Sequence, residues 1–319
     1  MASIIANGHA PLLVVIDMVE IVATTHPPAT YASVRGESAG RCELLAHAED
    51  EALRCEFYTA WSTRASDQAN AQWDNSPIIE NILQRRHEAA TLLGFPHYAA
   101  FSLATKMARS AEEVRAFLEK LADYCVPVAR AELAELERFA GRALDAWDVP
   151  FYAERLQREL HDISDEELRP YFPLARVLDG LFDVAGRLYG LKIRESSAPV
   201  WDPEVRFFEI RNEDGEAIGS FYVDPYARAN KRSGAWMDEC LGRLEFMGRR
   251  VLPVAYLVCN FLPPVAGRPA LLTHDEVVTL FHEFGHGLHH LLTRVRYPSL
   301  AGINGVPWDA VELPSQFMR

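Results

Sequence analysis

The stretch Thr273-His-Asp-Glu-Val-Val-Thr-Leu-Phe-His282-Glu283-Phe-Gly-His286 constrains this chain more than any other. Thr273, with Glu276 three residues on, is a capping-box pair and predicts a helix starting near 273. Apolar residues then recur at Val277, Val278, Leu280, Phe281, Phe284, Leu288, Leu291 and Leu292, a helical spacing and not a strand spacing. At about 100° per residue, His282 and His286 share one face, roughly 6 Å apart along the axis. Two imidazoles so placed can close on a single metal ion. Glu283 lies beside them, too far round the helix for a third tight ligand, but well placed to hydrogen-bond a water on the ion. The rival reading is a pair of solvated surface histidines. The capped helix, its apolar back face and a carboxylate downstream favour a zinc-hydrolase site.

Catalytic zinc usually has three protein ligands and one open position. A common extension of the motif needs glycine three residues after the second histidine and histidine six after it. Those positions hold His289 and Leu292, so that extension is excluded. His289 lies about 10.5 Å along the helix from His282, too far for the same ion. His289 and His290 therefore read as helix-surface or supporting residues. After Glu283 the remaining carboxylates are Asp309 and Glu312. Val306 to Glu312 is expected to open a second helix with Pro307 in its first turn, so that Asp309 and Glu312 share a face. Glu312 is the expected third ligand. Asp309 is expected to orient an imidazole through its free N–H, and Gln316, a turn past Glu312, is a further candidate for such support.

The chain has 319 residues, 49% of them hydrophobic, which is enough for a sizeable core and argues against global disorder. Its 32 basic and 45 acidic residues give a formal charge of −13, which argues against a nucleic-acid partner. The five cysteines are scattered and form no Cys-x-x-Cys, so neither a disulfide framework nor a thiolate zinc site is expected and a reducing compartment is the simplest reading. Pro11-Leu-Leu-Val-Val-Ile16 is followed by Asp17 and Glu20 and has no basic residue before it; it reads as neither a signal peptide nor a membrane span.

Residues 1 to about 50 show no sustained period, and Leu12 to Ile21 reads as a strand or a frayed helix. From Asp50 helical spacing dominates. Ile78 to Leu93 is one helix, stopped by Gly94 and Pro96. Ser110 with Glu113 opens another through Tyr124, which Pro127 is expected to end or kink before Ala131 to Ala140 resumes. Phe151 to His161 follows the turn Trp147–Pro150. Ser164 with Glu167 is a further capping box, and Leu174 to Tyr189 is an amphipathic helix capped by Gly190. After residue 200 strand formers take over. Val205 to Arg211 and Ile218 to Val223 flank Asn212-Glu-Asp-Gly215 as a hairpin, and Pro253 to Phe261 is a third strand. The expected fold is mainly α, with a small β-sheet beside the active site. An edge strand there can take a peptide by β-augmentation, and Gly234-Ala-Trp236 could supply backbone contacts, though the Trp236 side chain itself reads as core.

His282-Glu-Phe-Gly-His-Gly-Leu-His-His290 and Ser299-Leu-Ala-Gly-Ile-Asn-Gly-Val-Pro-Trp-Asp-Ala-Val-Glu312-Leu-Pro-Ser-Gln-Phe strongly resemble the thimet-oligopeptidase family, and its bacterial members in particular. Trp61-Ser-Thr-Arg-Ala-Ser-Asp-Gln68, Ser102-Leu-Ala-Thr-Lys-Met107, Ser164-Asp-Glu-Glu-Leu-Arg-Pro-Tyr-Phe172 and Lys231-Arg-Ser-Gly-Ala-Trp236 extend the resemblance over about 51 to 318. It implies a zincin-like fold, one zinc ion on His282, His286 and Glu312, and Glu283 as general base. It also implies a cytoplasmic endopeptidase for short peptides, cleaved signal peptides among them, reached through a deep channel, with neither membrane nor nucleic acid as partner.

Family members are longer at both ends. The expectation is therefore a poorly matching segment over residues 1–50 and a partial catalytic domain over 51–319, from a fragment or a disrupted reading frame. In the family the carboxy-terminal half brings tyrosine and histidine donors for the oxyanion, and no residue here takes that role. Function is expected to depend on that missing half. The alternative expectation is a truncated zinc-binding fragment with no catalytic activity of its own.

Overall fold

The computed structural model describes residues 44–161, 165–265 and 267–319. Leu12 to Ile21, Cys42 and the Ser164 cap lie outside them. The described residues fall into two compact units, one drawn from Met1–Ala104 and Ala108–Ile163, the other from Thr105–Met107 and Ser164–Arg319.

The first unit is helical: α1 (Glu51–Thr63), α2 (Ser76–Leu92), α3 (Tyr98–Leu103), α4 (Ala111–Ala140) and α5 (Val149–His161). Asp50 caps α1 by accepting the N–H groups of Ala52 and Leu53, and Ser110 caps α4 by accepting that of Glu113. Pro127 does not end α4: the helix runs through it for 30 residues, so of the expected end or kink the end is excluded. One missing backbone donor is a local loss, and the long run of good helix formers on either side carries the helix through it. Leu44, Leu45, Leu53 and Phe57 form a small core. Arg54, only 2% exposed, is buried with Asp148 at 2.6 Å, while Arg142 holds the other oxygen of that carboxylate at 2.7 Å.

The second unit carries the motif. After α6 (Asp165–Leu168) comes α7 (Leu174–Tyr189), followed by β1 (Lys192–Ser196), β2 (Arg206–Arg211), β3 (Ala217–Tyr226), β4 (Trp236–Leu241), β5 (Leu244–Phe246), β6 (Arg249–Val251) and β7 (Val254–Phe261). Then come α8 (His274–Leu291) and α9 (Leu313–Met318). Five strands form one sheet in the order β1-β2-β3-β7-β4, and β5 pairs with β6 alone. All pairings are antiparallel except β3 with β7, which is parallel. The predicted hairpin is present, with Gly215 at φ 85° in its turn, where only glycine is unstrained.

Helices α7 and α8 pack on one face of this sheet. Leu174, Val177, Leu178, Leu181 and Ala185 recur on one stripe of α7 and are buried. They meet Phe208 and Ile210 of β2, Phe221 and Val223 of β3, Leu257 of β7, and Leu280, Phe284, Leu288 and Leu291 of α8. The rings of Phe208 and Phe221 stack at 5.3 Å, and Phe221 meets Phe284 edge-on at 5.6 Å. Each such side chain contributes about 1.5–3 kcal/mol by burial. Gly287 lets α8 lie close on the sheet, since a Cβ there would stand 3.1 Å from the Leu257 side chain.

Sequence reading missed β1, β4, β5 and β6. The residues of β1 are mostly polar and exposed because it is an edge, and β5 and β6 have three residues each. The described cysteines, Cys55, Cys125, Cys240 and Cys259, are free thiols. Among the described residues no helix is long and apolar enough to cross a membrane.

Candidate metal centre

The capping box that opens α8 is complete: Glu276 donates its N–H to Thr273 Oγ1, and Thr273 donates its own to the Glu276 carboxylate. From that start His282 and His286 emerge one turn apart, with ring centroids 5.0 Å apart and planes at 84°. Glu312 reaches both. Its Oε2 stands 3.2 Å from His282 Nε2 and 3.1 Å from His286 Nε2. One donor atom from each of the three residues lies within 4.8 Å of the others. A tetrahedral ion with bonds of about 2.0–2.1 Å needs donor atoms roughly 3.3 Å apart, so the two carboxylate–imidazole separations suit zinc, as does the chemistry of two imidazoles and a carboxylate. Burial pushes His286 below the usual imidazole range, against the pull of the Glu312 carboxylate. That favours the neutral ring, which is the form that ligates.

Glu283 is buried at 7% exposure. Burial raises its carboxyl to about 7; the Met237 backbone N–H opposes this and the Glu312 charge adds to it. Met237 belongs to β4, so the edge strand delivers a donor to the acid beside the histidine pair.

Glu312 arrives by a route other than the one expected. Residues 308–312 are turns, with Ala310 donating to Pro307 O at 2.8 Å and Leu313 to Ala310 O at 3.2 Å. The helix begins at Leu313, and Glu312 is its N-cap. The bonds that close these turns span three residues and not four, so the helix starts only at Leu313 and does not run from 306. Asp309 consequently shares no helix face with Glu312. Its carboxylate accepts the Met107 N–H at 3.0 Å. Gln316 is exposed on α9 and donates its backbone N–H to Glu312 O.

Two residues missed from sequence matter here. Ser315 is fully buried, and its hydroxyl lies 3.0 Å from Glu312 Oε2 and 2.8 Å from Glu312 O. A serine in the first turn after an acidic N-cap was the available signal. His290, read as a surface or supporting residue, is fully buried, because its turn of α8 is covered by β4 and by the loop after α8. Its Nε2 donates to Leu241 O at 3.0 Å, and its Nδ1 lies 3.7 Å from Glu239 Oε2. His289 is half-buried and lines an apolar cavity of about 760 Å³ with Leu292, Phe317 and Met318, away from His282 and Glu283. Gly234, a suggested peptide contact, has its carbonyl taken by Asn260 Nδ2 at 2.6 Å, and Trp236 is half-buried with Arg232 over its ring.

The family resemblance drawn from these motifs is borne out. The profile of peptidase family M3 matches residues 44–319. Oligopeptidase A of Salmonella typhimurium is 55% identical over 285 residues, covering 86% of this chain and 42% of that protein. Oligopeptidase A of Escherichia coli is 54% identical over the same shares. Dipeptidyl carboxypeptidase of Escherichia coli is 41% identical over 279 residues, covering 85% of this chain and 40% of that protein. The chain thus spans about two-fifths of the length of the curated relatives it matches. By motif, by architecture and by these similarities, the chain belongs to peptidase family M3.

Proposed function

We propose that this chain carries the zinc site of a cytoplasmic, zincin-like metalloendopeptidase for short peptides, akin to oligopeptidase A, and that residues 51–319 are part of its catalytic domain. His282, His286 and Glu312 would hold one zinc ion. The observation that carries this reading is the approach of one Glu312 oxygen to both imidazole Nε2 atoms at 3.1 and 3.2 Å. Zinc bound there supplies Lewis acidity toward water and toward a peptide carbonyl.

Glu283 does the proton work. A carboxyl held up to about 7 by burial is matched to taking a proton near neutral pH and giving it back. It takes the proton of the attacking water at a carboxylate oxygen and returns it to the departing amine. Neutral His286 holds its place without competing for that proton. The edge strand β4 lies beside Glu283, and an extended peptide pairing along it where Met237 N–H and Leu241 O are not already engaged would suit an endopeptidase acting on unfolded substrates.

The test is elemental analysis of the 319-residue chain together with hydrolysis of an internally quenched peptide. One zinc per chain and chelator-sensitive cleavage are expected. A chain that takes up no zinc would refute the site. A chain that takes up zinc and cleaves nothing would leave the zinc-binding fragment as the correct reading.

A further inference from the structure

We propose that Ser315 is a positioning residue: its hydroxyl hydrogen-bonds the Glu312 carboxylate and aims it across at the α8 imidazoles. The proposal rests on the metal-site reading above. An acidic N-cap ordinarily turns its carboxylate back onto the N–H groups of its own helix. Glu312 does not; its side chain makes no such bond. Pro314 has no N–H to offer it. Instead Ser315 Oγ stands 3.0 Å from Glu312 Oε2, the same atom that lies 3.1 Å from His286 Nε2 and 3.2 Å from His282 Nε2. Ser315 is completely buried, so no water competes for that proton. Glu312 O lies 2.8 Å away, but a charged carboxylate is the stronger acceptor.

Glycine between the two histidines makes the arrangement reachable. A Cβ on Gly285 would stand 2.7 Å from Ser315 Cα and 2.8 Å from Pro314 O, so α9 is seated directly on the backbone of α8. The hydroxyl then holds the same carboxylate oxygen that approaches the two imidazoles. Contacts of this kind change metal affinity by about 10–100-fold.

The experiment measures zinc affinity of the full chain by competition with a chromophoric chelator, alongside the melting temperature of the metal-free protein. Ser315→Ala is expected to weaken zinc about 10–100-fold and to leave the metal-free melt nearly unchanged. In a Glu312→Ala background the same substitution is expected to cost no further affinity, because the carboxylate it serves is gone. Equal affinity of Ser315→Ala and the unaltered chain would overturn the proposal. So would an equal loss in the presence and absence of Glu312, the signature of a merely structural role. If the unaltered chain binds no zinc, the metal-site reading fails and this one falls with it; tight zinc with an indifferent Ser315→Ala sinks the positioning role alone.

Discussion

His290 Nε2 lies 3.0 Å from the carbonyl oxygen of Leu241, joining a buried imidazole on α8 to the last residue of edge strand β4. Glu239 stands beside it without hydrogen-bonding the ring. Glu239 Oε2 lies 3.7 Å from His290 Nδ1 and accepts Asn304 Nδ2 at 2.6 Å. The strand that touches Glu283 is therefore held to the helix that carries Glu283, and to the loop leading toward Glu312.

Replacing His290 by Phe fills the space but leaves the Leu241 carbonyl without its donor. The expected loss is about 1–3 kcal/mol in denaturant unfolding. Amide exchange across Trp236–Leu241 is expected to quicken while exchange in β2 stays put. Unchanged protection of β4 would dismiss the tie.

Glu283→Gln preserves size and removes the base. Zinc content is expected to stay at one per chain while peptide turnover falls by about 10²–10⁴-fold. Elemental analysis paired with the quenched-peptide assay reads both, and a mutant that cleaves at the original rate would strip Glu283 of its role.

Gly285→Ala adds one methyl where α9 rests on α8. With 2.7 Å to Ser315 Cα, the methyl can be accommodated only if α9 shifts. The expected result is a cost of about 1–3 kcal/mol in stability and weaker zinc. A variant as stable and as tight as the parent would show that the close approach does not constrain the site.

Asp224 and Lys231 form a buried pair at 2.8 Å, with Arg228 on the same carboxylate at 2.6 Å. Burial works to raise the Asp224 carboxyl, but hydrogen bonds from Arg228, Lys231 and Trp201 outweigh it and hold it below the usual range. A depressed folded value means that the stabilisation is complete above the unfolded aspartate range and disappears as pH falls through the folded value. Burial lowers Lys231 as well, against the pull of Asp224, so part of the pair's benefit is offset. Asp224→Asn is expected to cost about 3 kcal/mol at neutral pH, by leaving a buried ammonium without its charge partner, and to flatten the acid limb of stability against pH. Chemical denaturation from neutral to strongly acid pH measures it; an acid limb as steep as the parent's would count against the assignment.

What could be read from the chain followed the strength of local signals. The capping box at Thr273, the apolar stripe of α7 and the Asp-Gly hairpin each act within a few residues, and each formed where expected. Elimination left Asp309 and Glu312; Glu312, the one chosen, approaches both imidazoles, although the helix expected to open at Val306 begins only at Leu313. The rest depends on distant partners. Nothing local in Trp236–Leu241 marks an edge strand, because its order comes from β7 and from His290. The seating of Ser315 against Gly285 joins residues 30 apart in sequence, and no periodicity exposes such a contact.

The parallel pairing of β3 with β7 sets an order of assembly. Strand β4 precedes β7 in the chain, yet among the described residues β7 is its sole neighbour in the sheet. As the polypeptide emerges amino end first, β4 has no partner among the described strands until β7 has been made. The wall next to Glu283 thus depends for its backbone pairing on a strand made after it, and Glu283 itself comes later still.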